Sequence, residues 1–68
     1  MYKTVKKEIE KIRKYVEKET GIDIIDFLYE AEENYEIDDD GNKATCSWII
    51  NGLWNEADNY VDYWKENN

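Results

Sequence analysis

The stretch FLYEAEENYEIDDDGNK, residues 27–43, decides the fold, because its pattern separates a strand-containing domain from an all-helical one. From residue 27 to residue 37, aromatic and apolar side chains fall mainly at odd positions and acidic ones mainly at even positions. Leu28 and Glu33 are the two misfits. Alternation with a period of two is typical of a half-buried strand, so the stretch predicts one.

A turn signal follows this predicted strand. In DDDGN, residues 38–42, Gly41 supplies the backbone freedom that a tight turn needs. Beyond the turn, Thr45, Ser47 and Ile49 alternate with a second set of side chains, namely Ala44, Cys46, Trp48 and Ile50. Two alternating runs around an Asp-Gly turn predict a β-hairpin.

Helical periodicity precedes the predicted hairpin. Residues 2–20 carry apolar side chains at alternating spacings of three and four, at Tyr2, Val5, Ile9, Ile12 and Val16. This is the pattern of an amphipathic helix whose remaining face is Lys and Glu. Gly21 follows the last apolar position and suits a left-handed C-cap.

A second helix is predicted at the other end of the chain. One face of this segment carries Leu53, Ala57, Tyr60, Val61 and Trp64. Its start is open between two possibilities. Thr45 or Ser47 could cap a helix that already includes residues 48–50, or Asn51-Gly52 could turn the second strand into the helix.

These elements predict an α+β fold of a small single domain, residues 1–68, in the order α-β-β-α, with the β-hairpin packed against two helices. The alternative is an all-α three-helix domain. In that alternative Asp23 caps a short helix that places Ile24, Leu28 and Ala31 on one face.

The charge of the chain is unevenly distributed. The formal net charge is −8. Residues 1–20 hold seven Lys or Arg against four Glu, a net of +3, whereas residues 21–68 hold two Lys against thirteen acidic residues, a net of −11. Such asymmetry predicts an interaction surface, the alternative being that the acidic residues only keep the protein in solution.

The composition argues against most chemistry. The chain has no histidine, three isolated glycines and a single cysteine, Cys46, so it lacks the usual general base and any phosphate-binding loop. Aligning DDDGN with a calcium-binding loop places Ser47 where a bidentate glutamate is required. We therefore expect no enzyme activity, no cofactor and no metal site. The acidic charge and the absence of a long apolar run also predict no membrane association.

The predicted functional surface is acidic. On the strand reading, the even-numbered carboxylates project from one side at intervals of about 6.6–6.8 Å, comparable in order to a line of phosphates. We predict that these carboxylates, with the turn, a second row on the last helix and one aromatic residue, bind a partner: Glu30, Glu32, Glu36, Asp38, Asp39, Asp40, Asp58, Asp62 and Tyr63.

In size and charge the chain resembles the DNA mimics, anti-CRISPR and antirestriction proteins of phages and mobile elements. The segment TCSWIINGLWNEADNYV, residues 45–61, also looks like the strand-then-helix end of one anti-CRISPR family, at five scattered positions: Thr45, Ser47, Trp54, Ala57 and Val61. No fold or residue role is carried over from those five positions. The resemblance in size and charge implies an inhibitor in the bacterial cytoplasm, a monomer or homodimer. It would occupy the basic nucleic-acid-binding site of another protein, such as a nucleic-acid enzyme, without binding nucleic acid itself.

A second function belongs to a different class. The basic first helix and the acidic remainder could pair between copies, or the apolar stripe of the first helix could dock into a partner's groove, which would make the protein an oligomerising structural or adaptor module.

Overall fold

Three helices and a short loop make up the fold. The computed structural model describes residues 2–68, in which α1 spans Lys3–Thr20, α2 spans Ile25–Asn34 and α3 spans Cys46–Asn67. The predicted α+β hairpin is therefore wrong, and the all-α three-helix alternative fits. None of the helices in this part of the chain is both long and apolar enough to cross a membrane.

Helix α1 follows the predicted apolar periodicity. Val5, Ile9, Ile12 and Val16 are fully buried, since helical spacing brings them to one face. Gly21 ends the helix with φ of 75° and its N–H donates to the Glu17 carbonyl at 2.7 Å. The predicted helix and its glycine C-cap are both confirmed.

Helix α2 replaces the first predicted strand. Ile24, Leu28 and Ala31 are buried, at the helical spacing of four and three that the three-helix alternative requires. Phe27, one of the odd-numbered apolar residues of the predicted strand, is 40% exposed. The alternation of residues 27–37 does not produce a strand, because a helix buries Leu28 in the core together with Ile24 and Ala31.

The start of α2 is held to α1 by one ion pair. The Arg13 guanidinium donates to both carboxylate oxygens of Asp23, at 3.0 Å from Nε and 2.6 Å from Nη2. Oδ1 of Asp23 also accepts from the backbone N–H of Ile25, at 3.0 Å. The hydrogen bonds from Arg13 and then from Ile25 lower the pKa of the Asp23 carboxyl.

The Asp-Gly turn lies in the loop between α2 and α3, at the predicted position. Oδ1 of Asp38 accepts from the backbone N–H groups of Asp40 and Asn42, at 3.0 and 2.9 Å, which is the local bonding that favours Asp in turns. Gly41 has φ of 81°. A single antiparallel bridge pairs Ile37 with Lys43, and the described residues contain no strand longer than that bridge.

Helix α3 begins where the second strand was predicted, so the strand over residues 44–50 is wrong. The Thr45 hydroxyl accepts from the N–H of Trp48 at 3.2 Å and caps the helix, as one of the two predicted starts requires. The buried side chains of α3 recur at every fourth position, at Ile49, Leu53, Ala57 and Val61.

Helices α1 and α3 form the most extensive helix pair, and two aromatic residues secure it. The indole N–H of Trp54 donates to Glu8 Oε2 at 3.0 Å. The rings of Tyr15 and Trp54 lie 5.6 Å apart between centroids, within the range of favourable aromatic pairs. The hydrogen bond from Trp54, followed by that from Lys11, lowers the pKa of Glu8.

Gly52 lies inside α3 and allows Tyr35 to approach the helix backbone. A Cβ built at this position would lie 2.5 to 2.8 Å from three ring atoms of Tyr35, which is closer than real contacts allow. The Tyr35 hydroxyl in turn donates to Glu56 Oε1 at 2.9 Å, one turn further along the same helix. The proposed Asn51-Gly52 turn is therefore wrong, and Gly52 is present for close packing.

We predict that Gly52→Ala destabilises the domain although alanine is the better helix former by about 1 kcal/mol. The added methyl group displaces the Tyr35 ring, and overpacking of this kind costs about 1–3 kcal/mol. Urea unfolding followed by circular dichroism measures the change.

The matched control removes the ring. In a Tyr35→Ala background, Gly52→Ala should stabilise the protein, so that the double-mutant cycle gives a coupling between the two positions. Equal effects of Gly52→Ala in both backgrounds would contradict the packing role.

Candidate functional site

A continuous acidic segment connects α1 to the loop. No Lys or Arg occurs between Lys18 and Lys43, whereas nine carboxylates lie between Asp23 and Asp40. Every ion pair found within residues 2–68 includes a side chain of α1. Among those nine carboxylates only Asp23 takes part in one, so the negative charge of α2 and the loop is not neutralised by basic side chains of the described chain.

Helix α2 distributes its carboxylates over two faces. Glu30 is exposed, with Asp26 and Glu33 at helical spacing on the same outer side. Glu32 lies on the inner side and is only 2% exposed. The predicted straight row through Glu30 and Glu32 is therefore wrong, because a helix separates residues two apart onto different faces.

The inner side of α2 borders an open groove of about 550 Å³. We call it the acidic groove. Two carboxylates, from Glu32 and Glu36, line it together with both arms of the loop, the residue before α1 and one residue of the first turn of α3. Among residues 2–68 its lining is Tyr2, Glu32, Glu36, Ile37, Lys43, Ala44 and Ile49. The tyrosine at its edge is fixed by a hydrogen bond from its hydroxyl to the Ala44 carbonyl, at 3.2 Å.

Glu32 has the most perturbed environment of the groove. Burial raises the pKa of its carboxyl, and the hydrogen bond and negative charge of Glu36 raise it further, whereas the positive charge of the N-terminal amine lowers it; the charge of Glu33 makes a smaller contribution that raises it. Within residues 2–68 no basic side chain lies within ion-pair distance of Glu32. The groove therefore holds two carboxylates that interact with each other unfavourably when both are ionised.

Among residues 2–68, Lys43 is the one basic residue that lines the acidic groove. Its ammonium lies 5.2 Å from the centroid of the Tyr2 ring, a cation–π contact. It forms no ion pair with Glu32 or Glu36. One wall of the groove thus already accommodates a cation on an aromatic face.

The three consecutive aspartates of the loop differ in role. Asp38 is half-buried and its carboxylate accepts the turn hydrogen bonds, so it organises the loop. Asp39 and Asp40 are exposed, and no hydrogen bond to their carboxylates is found in the described part of the chain. These two residues and exposed Glu36 continue the acidic surface from α2 around the turn.

The predicted residues of α3 form a separate surface. Asp58 and Asp62 are exposed one turn apart, as predicted, but Asp58 adjoins α1, where its hydrogen bond adds to burial in raising the pKa of Tyr15. Tyr63 is 69% exposed and belongs to no cluster of the core. The nine predicted residues are thus divided between the α2–loop surface and the outer face of α3.

A smaller cleft of about 180 Å³ lies on the opposite side of α2. Phe27, Glu30 and Tyr35 line it, together with Ala31, Asn34 and Glu56. The hydrogen bond to Glu56, followed by burial, raises the pKa of Tyr35. Since the Tyr35 hydroxyl and the Glu56 carboxylate are hydrogen-bonded to each other, we interpret this cleft as part of the packing of α2 on α3.

The chemistry available to these groups is the binding of cations. Within the described chain, no three His, Cys, Asp or Glu side chains are arranged to hold a metal ion. Cys46 is half-buried at the start of α3 and packs against the core. The groove and loop offer oxygen acceptors and negative charge, which suit basic side chains of another molecule.

Sequence reasoning missed three contributors to this site. Glu33 was treated as a misfit, although its helical spacing from Asp26 and Glu30 could have placed it on the outer face of α2. Tyr2 was assigned to the core and Lys43 was not singled out, because no local pattern indicates that α1 starts beside the loop. The helical spacing of Ile24, Leu28 and Ala31 was the sequence signal that favoured the three-helix alternative, and a helix at this position would have indicated the groove.

We predict that Glu32→Gln stabilises the domain at neutral pH. Because burial raises the folded-state pKa of Glu32 above its ordinary value of 4.5, the carboxyl favours the folded state while protonated, and that contribution is lost as the pH rises through the folded-state pKa. Urea unfolding at pH 7.5 should show the gain, which should shrink towards pH 4.

Glu33→Gln is the matched control, since Glu33 is an exposed glutamate on the same helix. It should change the free energy of unfolding little at either pH. A Glu32→Gln protein that is less stable than the wild type at pH 7.5 would contradict the prediction.

No protein-family model, curated protein or solved structure matches this chain, so its function is argued from these surfaces.

Proposed function

We propose that this protein is a small, non-enzymatic inhibitor that binds a basic nucleic-acid-binding site on another protein and blocks it. The α2–loop surface makes the contact, with the exposed carboxylates of Glu30, Glu36, Asp39 and Asp40 in the positions of phosphate groups. The partner is a basic protein, such as a nucleic-acid enzyme.

One observation carries this proposal: eight of the nine carboxylates from Asp23 to Asp40 form no ion pair within the described residues. Carboxylates that only keep a protein in solution are commonly interspersed with bases. Here seven of the nine bases lie in α1, and the two of them that form ion pairs, Lys11 and Arg13, pair with glutamates of that helix and with Asp23. The unpaired charge is therefore available to a partner.

The position of the charge on α2 supports the same conclusion. The C-terminal end of a helix carries a partial negative charge, so bases are favoured there and acids are disfavoured. The last turn of α2 contains Glu32 and Glu33 and no base. Charge that opposes local stability is expected at functional sites more than elsewhere.

The dimensions of the molecule are compatible with a site built for duplex nucleic acid. Its principal extents are 39 × 22 × 16 Å. The long axis equals roughly eleven base pairs at about 3.4 Å per step. A groove lined with Lys and Arg would attract such an anionic rod over long range, which raises the rate of association. Nucleic acid itself would be repelled by the same charge.

The fold excludes one of the two ways in which the protein could act as an oligomerising or adaptor module. The apolar stripe of α1 lies in the core and is fully buried, so it is not available to a partner's groove. What remains is a basic outer face, on which Lys3, Lys7, Lys14 and Lys18 are exposed. Pairing of this face with the α2–loop surface of a second copy would give a homodimer, which sedimentation at low and high salt detects.

We predict that Asp39→Lys with Asp40→Lys abolishes capture of the partner without unfolding the domain. Tagged protein is incubated with a bacterial lysate at low salt, and bound proteins are identified by mass and eluted with salt or duplex DNA. Capture of a nucleic-acid enzyme that duplex DNA displaces is the expected result, because both ligands then compete for one basic site.

The matched control, Asp62→Lys with Glu66→Lys, makes the same change of net charge on exposed residues of α3. It should weaken capture much less than the loop variant. Equal weakening by both variants would show that net charge alone drives binding, and capture that duplex DNA does not displace would overturn the proposed function.

A further inference from the structure

Aromatic residues follow the line along which α2 packs on α3. Phe27 and Tyr35 line the same cleft between the two helices. The ring of Phe27 lies 6.3 Å from the ring of Tyr60, between centroids. Tyr63 follows Tyr60 by three residues, so helical spacing places it on the same side of α3, about one turn further along. We call these four residues, Tyr35, Phe27, Tyr60 and Tyr63, the aromatic seam.

Much of the aromatic seam faces solvent. Tyr63 is 69% exposed and Phe27 is 40% exposed, and neither is part of the core cluster. Phe27 has no polar group that water could hydrate, so a charged or amide side chain would suit a purely solvated position on α2 better. Scattered apolar residues are normal on a protein surface, whereas contiguous exposed ones mark interaction sites. The seam is therefore a candidate contact surface.

The acidic charge of the α2–loop surface does not by itself make a tight complex. Exposed ion pairs are screened by salt and contribute little each, so exposed carboxylates mainly raise the rate of association. The affinity of a protein interface comes largely from a few buried aromatic or arginine residues that polar contacts surround. Glu30 belongs to the α2–loop surface and also lines the cleft of the aromatic seam, so the two surfaces are continuous. The seam is thus placed to supply the anchor that the carboxylates lack.

The charges beside the aromatic seam select its occupant. Glu30 and Glu56 line the cleft, no base of residues 2–68 does, and neither carboxylate is in an ion pair within that range. A second copy that met the seam through two-fold symmetry would bring these carboxylates close to their own counterparts, and nucleic acid would be repelled in the same way. A lysine or arginine side chain instead finds aromatic faces for its cation and apolar surface for its methylene stem.

We propose that the aromatic seam anchors the basic partner protein, with a lysine or arginine side chain of that protein lying against the rings of Phe27 and Tyr63. This proposal deepens the proposed function and rests on it for the identity of the partner as a basic protein. The exposed carboxylates of Asp39 and Asp40 attract the partner over long range. The seam supplies the contact that excludes water and holds the partner in place.

The test is a titration of isotope-labelled protein with an acetylated and amidated hexa-arginine peptide, followed by NMR. Nuclear Overhauser effects are expected between the arginine methylene protons of the peptide and the ring protons of Phe27 and Tyr63. A hexa-citrulline peptide has side chains of similar shape without the charge, and it should produce none at the same concentration, because the cation is what the rings and the neighbouring carboxylates attract.

Variants assign the contact to the aromatic rings. Phe27→Ser should weaken binding of the arginine peptide about two- to fivefold, through loss of a cation–π contact, while circular dichroism shows an unchanged fold. Phe27→Tyr keeps the ring and should bind as the wild type does. The matched control Ile22→Ser removes an apolar side chain of similar exposure, 38%, that does not line the cleft, and it should change the affinity much less. Tyr63→Ser, at the other end of the seam, should weaken binding as Phe27→Ser does.

The proposal is overturned if the arginine peptide shows no Overhauser effect to the rings of the seam, or if Ile22→Ser weakens binding as much as Phe27→Ser does. It is also overturned if the wild type sediments as a dimer that Phe27→Ser dissociates, since a second copy would then cover the seam.

Failure of this proposal is distinguishable from failure of the proposed function. Partner capture that depends on Asp39 and Asp40 but survives both Phe27→Ser and Tyr63→Ser would leave the inhibitor proposal intact and remove the seam from it. Contact of the arginine peptide with the seam, without capture of any DNA-displaceable partner, would keep the seam as a site for basic side chains and remove the inhibitor.

Discussion

The burial of one aliphatic stripe on α1 is the constraint on which the rest of the structure depends. Val5, Ile9, Ile12 and Val16 have no exposed surface, and α2 and α3 are both packed around them. A domain of this size buries only about 60% of its unfolded surface, so an interruption of this stripe would leave too little core to order the chain. The glycine cap at Gly21 and the Arg13–Asp23 pair then direct the chain back, so that α2 returns along α1.

The same constraint explains where the charge lies. Because α1 directs its apolar stripe inwards, its lysines cover the outer face, and one of them, Lys11, pairs with Glu8 of the same helix. Helix α2 and the residue before it contribute only Ile24, Leu28 and Ala31 to the buried aliphatic core, which leaves most of the helix surface to carboxylates that no basic side chain neutralises within the described residues. The separation of basic and acidic faces thus follows from which side of each helix is buried and which charges the other side carries.

The predictability of the fold from sequence differed between its helices for a physical reason. Helix α1 could be predicted because five apolar positions agree with one period and Gly21 marks its end. The sequence of residues 27–37 fits both a strand period of two and a helical period. The helical one is favoured only because Ile24, Leu28 and Ala31 pack against apolar residues of α1 and α3. Local alternation carries no information about that packing. The exposed carboxylates could be located from sequence, whereas the burial of Glu32 could not, since it depends on tertiary packing that no local pattern indicates.

Glu32 shows why a small domain can carry an energetically unfavourable residue. Burial and the neighbouring Glu36 raise the pKa of its carboxyl, so ionisation of Glu32 opposes folding at neutral pH. The domain folds nonetheless, because the aliphatic side chains of all three helices form one shared core whose burial outweighs this single cost.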